Sequence, residues 1–274
     1  MNVDNPSEPV DKPPPGGPKG PSAVEKRGVP GPSISDVWRV PIAVWQARRA
    51  LDRDELGRAR ALVAPLLDRF GSVTFVRRIA GEVLYAGGDP LSAAILFERV
   101  RKKLPRDRSS AIGLVASYAA LNRAGDARRS AENIGDDVDV RLALAWAELA
   151  ATGGDAARGA AIVESLASDA SLSSSPARVA MHSALAAIVA ARRSDPDQTR
   201  AMLETADSQA RHLRGADRAF LGYLGGVALR EAGLRDDALA AFALAMTASP
   251  DSIGAALARR ERANLVLAGP RPLQ

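Results

Sequence analysis

Two stretches of the chain carry the same spacing of small, aromatic and proline residues, and this duplication constrains the fold more than any other feature. The first stretch has the pattern G-x2-L-x8-A-x3-F-x2-V-x4-P, and the second differs only in having Ala where the first has Val. The matching positions are Gly81, Leu84, Ala93, Phe97, Val100 and Pro105, followed 145 residues later by Gly226, Leu229, Ala238, Phe242, Ala245 and Pro250. A match of this kind, free of insertions, predicts two units built to one plan.

The chain around and between these units has helical periodicity. Apolar residues recur every three or four positions, and the alternation typical of strands is nearly absent. Ala accounts for 54 of the 274 residues, which favours closely packed helices. Turn signals divide the chain into about thirteen helices, the last being a single closing helix from Ser252 to Ala268. We therefore predict an all-α fold.

The duplicated pattern has a packing explanation. Small residues at Gly81 and Ala93 let the two helices of a hairpin approach closely, the aromatic ring of Phe97 fills the space between hairpins, and Pro105 ends the second helix. A pattern of small residue, large residue, Ala, aromatic residue and closing Pro resembles the tetratricopeptide repeat (TPR) family. The resemblance is strong in two units and weaker in the units between them.

This resemblance implies a right-handed α-solenoid of TPR-like hairpins over residues 35–269, with about six hairpins and a C-terminal capping helix. Residues 1–34 precede it and contain nine of the 18 Pro between Pro6 and Pro32, with almost no large apolar side chain. Such a segment cannot bury enough surface to offset its ordering entropy, so we expect a disordered Pro/Gly-rich arm. Residues 270–274 form a short tail.

The composition excludes several classes of protein. The chain has no Cys, which rules out thiol catalysis, zinc ribbons and disulfide scaffolds, and its only two His are His182 and His212. No nucleophile triad is indicated around either His. We expect no catalytic residues, no metal and no cofactor. No apolar run approaches the roughly 18 residues of a membrane span, so we also expect a cytoplasmic chain without membrane insertion.

In TPR folds the first helices of successive hairpins line a concave groove, and the resemblance assigns groove positions here. The polar and tyrosine positions expected to bind a partner are Arg78, Glu82, Tyr85, Asn122, Arg141, Glu148, Tyr223 and Arg230. Apolar positions in the same register are Phe75, Leu144, Met181, Ile188, Phe220 and Val227, although Phe75 and Phe220 could equally pack between hairpins. Exposed aromatic residues and arginines are typical of a site for a peptide or an amphipathic helix.

A second candidate surface is basic. Residues 36–110 carry 15 basic and nine acidic side chains, and the densest run comprises Arg99, Arg101, Lys102, Lys103, Arg106 and Arg108. The run ends a helix, where cations interact favourably with the helix dipole. It could also contact a phosphate backbone, but no aromatic residue is interleaved to stack on bases.

The sequence favours a non-enzymatic adaptor or scaffold that binds another protein in the groove, alone or as a subunit of a larger complex. The alternative is a binder of nucleic acid or of an acidic polymer through the basic segment 36–110.

Overall fold

The computed structural model describes residues 34–132, 134–151 and 153–269, with side chains from residue 39 onward. These residues form thirteen α-helices and a 3₁₀ segment, with no strand among them, so the all-α prediction is confirmed for this part of the chain. None of the described helices is long and apolar enough to cross a membrane. The predicted arm (except Ile34) and the tail lie outside the described residues.

The helices follow one another with short connections. They are α1 Ile34–Asp52, α2 Leu56–Phe70, α3 Thr74–Ala86, α4 Pro90–Lys103, α5 Arg108–Ala120, α6 Ala124–Ala131, α7 Val138–Ala150, α8 Ala156–Leu166, α9 Pro176–Arg192, α10 Pro196–Ala210, α11 Gly215–Glu231, α12 Arg235–Ala248 and α13 Ile253–Leu267, with the 3₁₀ segment Leu172–Ser174 before α9.

Aspartates fix many of the helix starts. The carboxylate of Asp107 accepts a hydrogen bond from the backbone N–H of Ser110 at 2.9 Å, and Asp155 and Asp195 cap α8 and α10 in the same way. The acidic turn before α7 has the predicted capping role, because Asp137 accepts from the N–H groups of Asp139 and Val140. Each cap satisfies a backbone donor that has no partner within its helix.

The helices pack in two layers in chain order. Each helix contacts the next one, and the odd-numbered helices from α3 to α13 also contact one another in series, α3 with α5, α5 with α7, and so on. The even-numbered helices from α4 to α12 pack against the outside of this series. The inner faces of the odd-numbered helices therefore surround the centre of the molecule.

Phe97 and Phe242 are both fully buried, as predicted from the duplicated pattern. The Phe97 ring lies against Gly81 of α3 and against Gly113 of α5, and a Cβ atom at Gly81 would come within 2.7 Å of the ring. The Phe242 ring lies against Gly226 in the same manner. The glycines are thus required by the close approach of an aromatic ring.

Two adjacent glycines of α11 test this explanation. A Cβ at Gly225 meets only Leu203, at an ordinary 3.5 Å, whereas a Cβ at Gly226 would overlap the Phe242 ring. We expect Gly225→Ala to raise the free energy of unfolding by about 0.5–1 kcal/mol, because Ala restricts the unfolded chain. Gly226→Ala should lower it by about 1–3 kcal/mol through overpacking. Urea titrations of both variants measure the difference, and equal effects would contradict the packing role of Gly226.

The connection between α1 and α2 meets α11, which lies far from it in sequence. The backbone N–H of Ala216, at the start of α11, donates to the carboxylate of Asp54 at 3.1 Å, and the Arg214 guanidinium donates to the backbone oxygen of Leu51 at 3.3 Å. Arg214 also lies 3.9 Å from the carboxylate of Asp52. We call this set, Leu51, Asp52, Asp54, Arg214 and Ala216, the clasp. It holds the connection between α1 and α2 against α11.

Candidate functional site: a central cleft

Inside the series of odd-numbered helices lies a cleft with two connected parts, of about 370 and 610 Å³. Tyr85 of α3, Ile112 and Ala116 of α5, and Phe220 of α11 line both parts, so the two parts adjoin at these side chains. Volumes of this size are typical of ligand sites in proteins. The cleft is therefore the candidate functional site.

The larger part is mostly apolar. Leu142, Ala143 and Trp146 line it from α7, and Met181 lines it from α9. Arg178 stands at its edge, where its guanidinium pairs with Asp139 at 2.9 Å. Because that arginine is already paired, apolar contacts dominate this part of the cleft.

An aromatic cluster joins α7 to α11 at the cleft wall. The Trp146 and Phe220 rings meet edge to face with centroids 4.8 Å apart, and Tyr223 lies 6.4 Å from Trp146. Such aromatic pairs contribute about 0.5–1.5 kcal/mol beyond area burial. The cluster therefore fixes α11 firmly against the inner face of α7.

The indole N–H of Trp146 has no acceptor in good hydrogen-bonding geometry, although the Tyr223 hydroxyl lies near enough to interact with it. It is the one such case among the buried side-chain nitrogen and oxygen atoms of the described residues, and Trp146 is only 1% exposed. A buried donor without a partner costs about 1–3 kcal/mol. A hydrogen-bond acceptor brought into contact with it would remove this cost.

The two tyrosines near the cleft remain protonated. Burial raises the pKa of Tyr85 and of Tyr223 above the ordinary phenol value. Tyr85 lines both parts of the cleft, so the tip of its side chain offers a neutral hydroxyl there.

The smaller part of the cleft ends at the clasp and is charged. Six ionisable side chains line it, and they are Arg48, Asp52, Asp54, Glu82, Arg214 and Asp217. Burial raises the pKa of Glu82, an effect that Arg48 and Arg78 partly oppose. Four carboxyl groups face two guanidinium groups, so this end of the cleft has an excess of acidic groups.

The structure brings only part of the predicted groove set to the cleft. Glu82, Tyr85, Met181 and Phe220 line it. Arg78 pairs with Asp107, Arg141 with Asp136 and Asp169, and Arg230 with Glu231 and Glu261. Asn122 occupies a left-handed turn after α5, with φ of 59°. These four residues do not line the cleft.

Burial contradicts the predicted groove position of Tyr223, which is 2% exposed because it packs in the aromatic cluster. The predicted groove positions Arg78, Glu82, Tyr85 and Arg230 are partly exposed. Leu84 and Leu229 of the duplicated pattern are partly buried. Of the apolar groove positions, Phe75 is exposed, whereas Leu144, Ile188 and Val227 are buried.

Glu148 was also expected in the groove, but it is 1% exposed. Its carboxylate accepts two hydrogen bonds from the Arg128 guanidinium, at 2.8 and 2.7 Å, and one from the backbone N–H of Asp155 at 2.8 Å. Burial by itself would raise the pKa of Glu148, but these hydrogen bonds hold it below the ordinary value. Glu148 thus joins α7 to α6 and to the start of α8.

Half of the basic run is engaged within the chain. Arg108 pairs with Asp137 and Asp139, Arg101 donates to the backbone oxygen of Ser130, and Lys103 donates to that of Ser72. The exposed remainder consists of Arg99, Lys102 and Arg106. Only the ion pairs of Arg108 offset a positive charge, because a backbone oxygen leaves the charges of Arg101 and Lys103 in place.

His182 has a structural contact, since its Nε2 lies 2.9 Å from the backbone oxygen of Val163. Among the described residues no group of three or more acidic or His side chains is placed to hold a metal ion.

Comparison with known proteins adds no family. The sequence matches no protein-family model, and no curated protein matches it significantly.

Proposed function

We propose that this chain is a non-enzymatic adaptor whose helices form a right-handed, TPR-like α-solenoid, and that it binds an extended segment of a partner protein in the central cleft. The observation that carries the proposal is a pair of adjoining, largely apolar cavities, one of them lined by Trp146, whose buried indole N–H has no acceptor in good geometry. Apolar lining with a few placed polar groups is typical of a recognition site.

The occupant is an extended segment rather than the amphipathic helix that the sequence left open. A helix with its side chains is about 10–12 Å across. The Trp146 and Phe220 rings, with centroids 4.8 Å apart, already bring α7 and α11 together across the inside of the molecule. The remaining space suits side chains that project from a narrow backbone.

An extended segment also supplies a hydrogen-bond acceptor and apolar side chains to the cleft wall. Its backbone carbonyl oxygens have no partners within the segment, so one of them can accept from the Trp146 N–H once the side chains that cover this buried atom move aside. Its apolar side chains can cover Ile112, Ala116 and Met181. The proposal therefore accounts for both the apolar lining and the unpaired donor.

Selection of linear peptides displayed on phage against the full chain tests this function. We expect enriched peptides with apolar side chains, and we expect competition for binding between unrelated enriched sequences because they share one cleft. Failure to enrich any peptide, or cross-linking of the enriched peptides to the outer surface at Leu91 and Ile95, would overturn the proposal. Leu91 and Ile95 are exposed on α4 and do not line the cleft.

Trp146→Phe tests the hydrogen bond itself. The substitution keeps an aromatic ring and removes the N–H, so we expect the affinity for an enriched peptide to fall about two- to tenfold, the loss of one hydrogen bond. The free energy of unfolding of the peptide-free protein should fall little, because the unpaired donor is removed together with some ring contacts. Fluorescence anisotropy and urea titration measure the two quantities.

Trp45→Phe is the matched control. Trp45 lies on α1, is more than half exposed and does not line the cleft. Peptide affinity should stay at the wild-type value. Equal losses in the two variants would show that Trp146 does not contact the peptide.

The alternative of binding nucleic acid through segment 36–110 gains no support from the structure, because Arg101, Lys103 and Arg108 have partners within the chain.

A further inference from the structure

Resting on the function proposed above, we infer that the clasp end of the cleft selects a lysine or arginine side chain of the bound segment. The inference concerns the chemistry of the occupant, and it rests on the charges and contacts at this end of the cleft.

The carboxyl groups at the clasp end are only partly matched by cations of the protein. Arg214 is committed to Asp217 through two hydrogen bonds, of 2.8 and 3.0 Å. Arg48 is shared between Glu82 at 2.5 Å and Asp52 at 3.4 Å. Asp54 accepts from the backbone of α11. Two arginines thus serve four carboxyl groups, and the residual charge is negative.

Glu82 is the carboxyl group best placed to meet a bound cation. It lines the cleft beside Tyr85, and its side chain is 21% exposed. A carboxylate has about four acceptor positions, and the Arg48 side chain that contacts it is 56% exposed. An ion pair with so exposed a cation contributes little to stability and holds its two side chains only weakly. The Glu82 oxygens can therefore accept a hydrogen bond from a further donor.

The other charged groups near Glu82 do not form an ion pair with its carboxylate. Arg78 pairs with Asp107 at 3.0 Å, and its guanidinium is therefore directed to a different carboxylate. Asp107 raises the pKa of Glu82, although Arg78 lowers it by more, so the pair leaves Glu82 without a second direct partner. A cation entering from the cleft would lower the repulsion among these groups.

The position of the basic side chain relative to the apolar ones follows from the side chains that line both parts of the cleft. Tyr85, Ile112, Ala116 and Phe220 line both parts, so a segment with its cation at Glu82 passes directly over apolar surface. The stem of Lys or Arg is itself apolar and packs well on such a surface. The selected motif is therefore a basic residue with apolar neighbours.

The composition of the peptides enriched against the full chain tests the inference. We expect Lys or Arg at one fixed position, with apolar residues nearby. In the probe, a fluorescein-labelled copy of the most enriched peptide, replacement of that residue by norleucine should weaken binding at least fivefold. Binding should also weaken as NaCl is raised from 50 to 500 mM, an interval over which the screening length shortens about threefold. Enriched peptides that bind the cleft without a basic residue would overturn the inference and leave the proposed function intact. Absence of any enrichment would overturn both.

Variants of the protein locate the cation. Glu82→Gln and Asp217→Asn each remove one negative charge. We expect each to weaken binding of the labelled peptide about three- to fivefold, whereas the affinity of the norleucine peptide should not change. Glu164→Gln is the control, since Glu164 forms an exposed pair with Arg193 on α8 and lies outside the cleft lining. Circular dichroism melting verifies that the variants are folded. If Glu82→Gln and Glu164→Gln have equal effects, Glu82 does not meet the cation.

Discussion

Replacement of Phe97 or Phe242 by Ala is expected to lower the free energy of unfolding by about 3–5 kcal/mol, the range for a large buried aromatic residue. Both side chains are 0% exposed. Each fills a space between helices that closely placed glycines create, so the surroundings cannot easily collapse onto the vacated volume. Urea titration followed by circular dichroism measures the change.

Phe75→Ala is the matched control, because Phe75 at the start of α3 is exposed. Phe75→Ala should lower the free energy of unfolding much less than Phe97→Ala or Phe242→Ala does. Phe97 contacts glycines on both α3 and α5, so its loss should weaken two hairpins at once. Near-neutral values at Phe97 and Phe242 would remove the main support for repeating, TPR-like units.

Glu148→Ala is expected to lower the free energy of unfolding by about 2–4 kcal/mol. Loss of one partner of a buried ion pair is costly because the remaining groups lose their compensation, although Arg128 is partly exposed and can turn to water. The backbone N–H of Asp155 also loses its acceptor. Asp126→Ala, which breaks only exposed pairs with Arg123 and Arg129, should cost far less.

The pH dependence of stability gives a second test of Glu148. Its pKa in the folded protein lies below the ordinary value of 4.5, because the hydrogen bonds from Arg128 and Asp155 outweigh the burial that opposes them. The folded state therefore binds this proton less readily than the unfolded state. The contribution of Glu148 is complete above pH 4.5 and is lost as the pH falls through the folded-state pKa. Wild type and Glu148→Gln should differ at pH 7 and converge in acid. A difference that does not change with pH would contradict the ion-pair role.

Local structure could be predicted from the sequence because its causes are local. The three- and four-residue periodicity, the capping aspartates and the fixed spacing around Phe97 and Phe242 all act within one or two helices. The predicted closing helix from Ser252 to Ala268 appears as α13, Ile253–Leu267.

The site could be predicted only in part, because it depends on how the helices meet over long distances. A groove position on α11 points to solvent only if nothing stands opposite it, and Trp146 of α7 stands opposite Tyr223. No local sequence pattern predicts this contact between Trp146 and Tyr223. For Glu148 a signal was present, since it is the single charged residue in the apolar run from Leu142 to Ala150, and a lone carboxylate in such a run favours a buried pair.

The clasp has a consequence for how the chain unfolds. Arrays in which each unit meets only its neighbours lose their units one at a time, beginning at the ends. Here Ala216 at the start of α11 contacts Asp54 across 162 residues of sequence, so α1 and α2 are not free to detach independently of α11. Closing a loop of that length costs roughly 4–5 kcal/mol of chain entropy beyond a constant term, and contacts of such separation form slowly. Once the contacts have formed, displacement of α11 also releases the connection between α1 and α2, and the described helices should melt in a single cooperative transition.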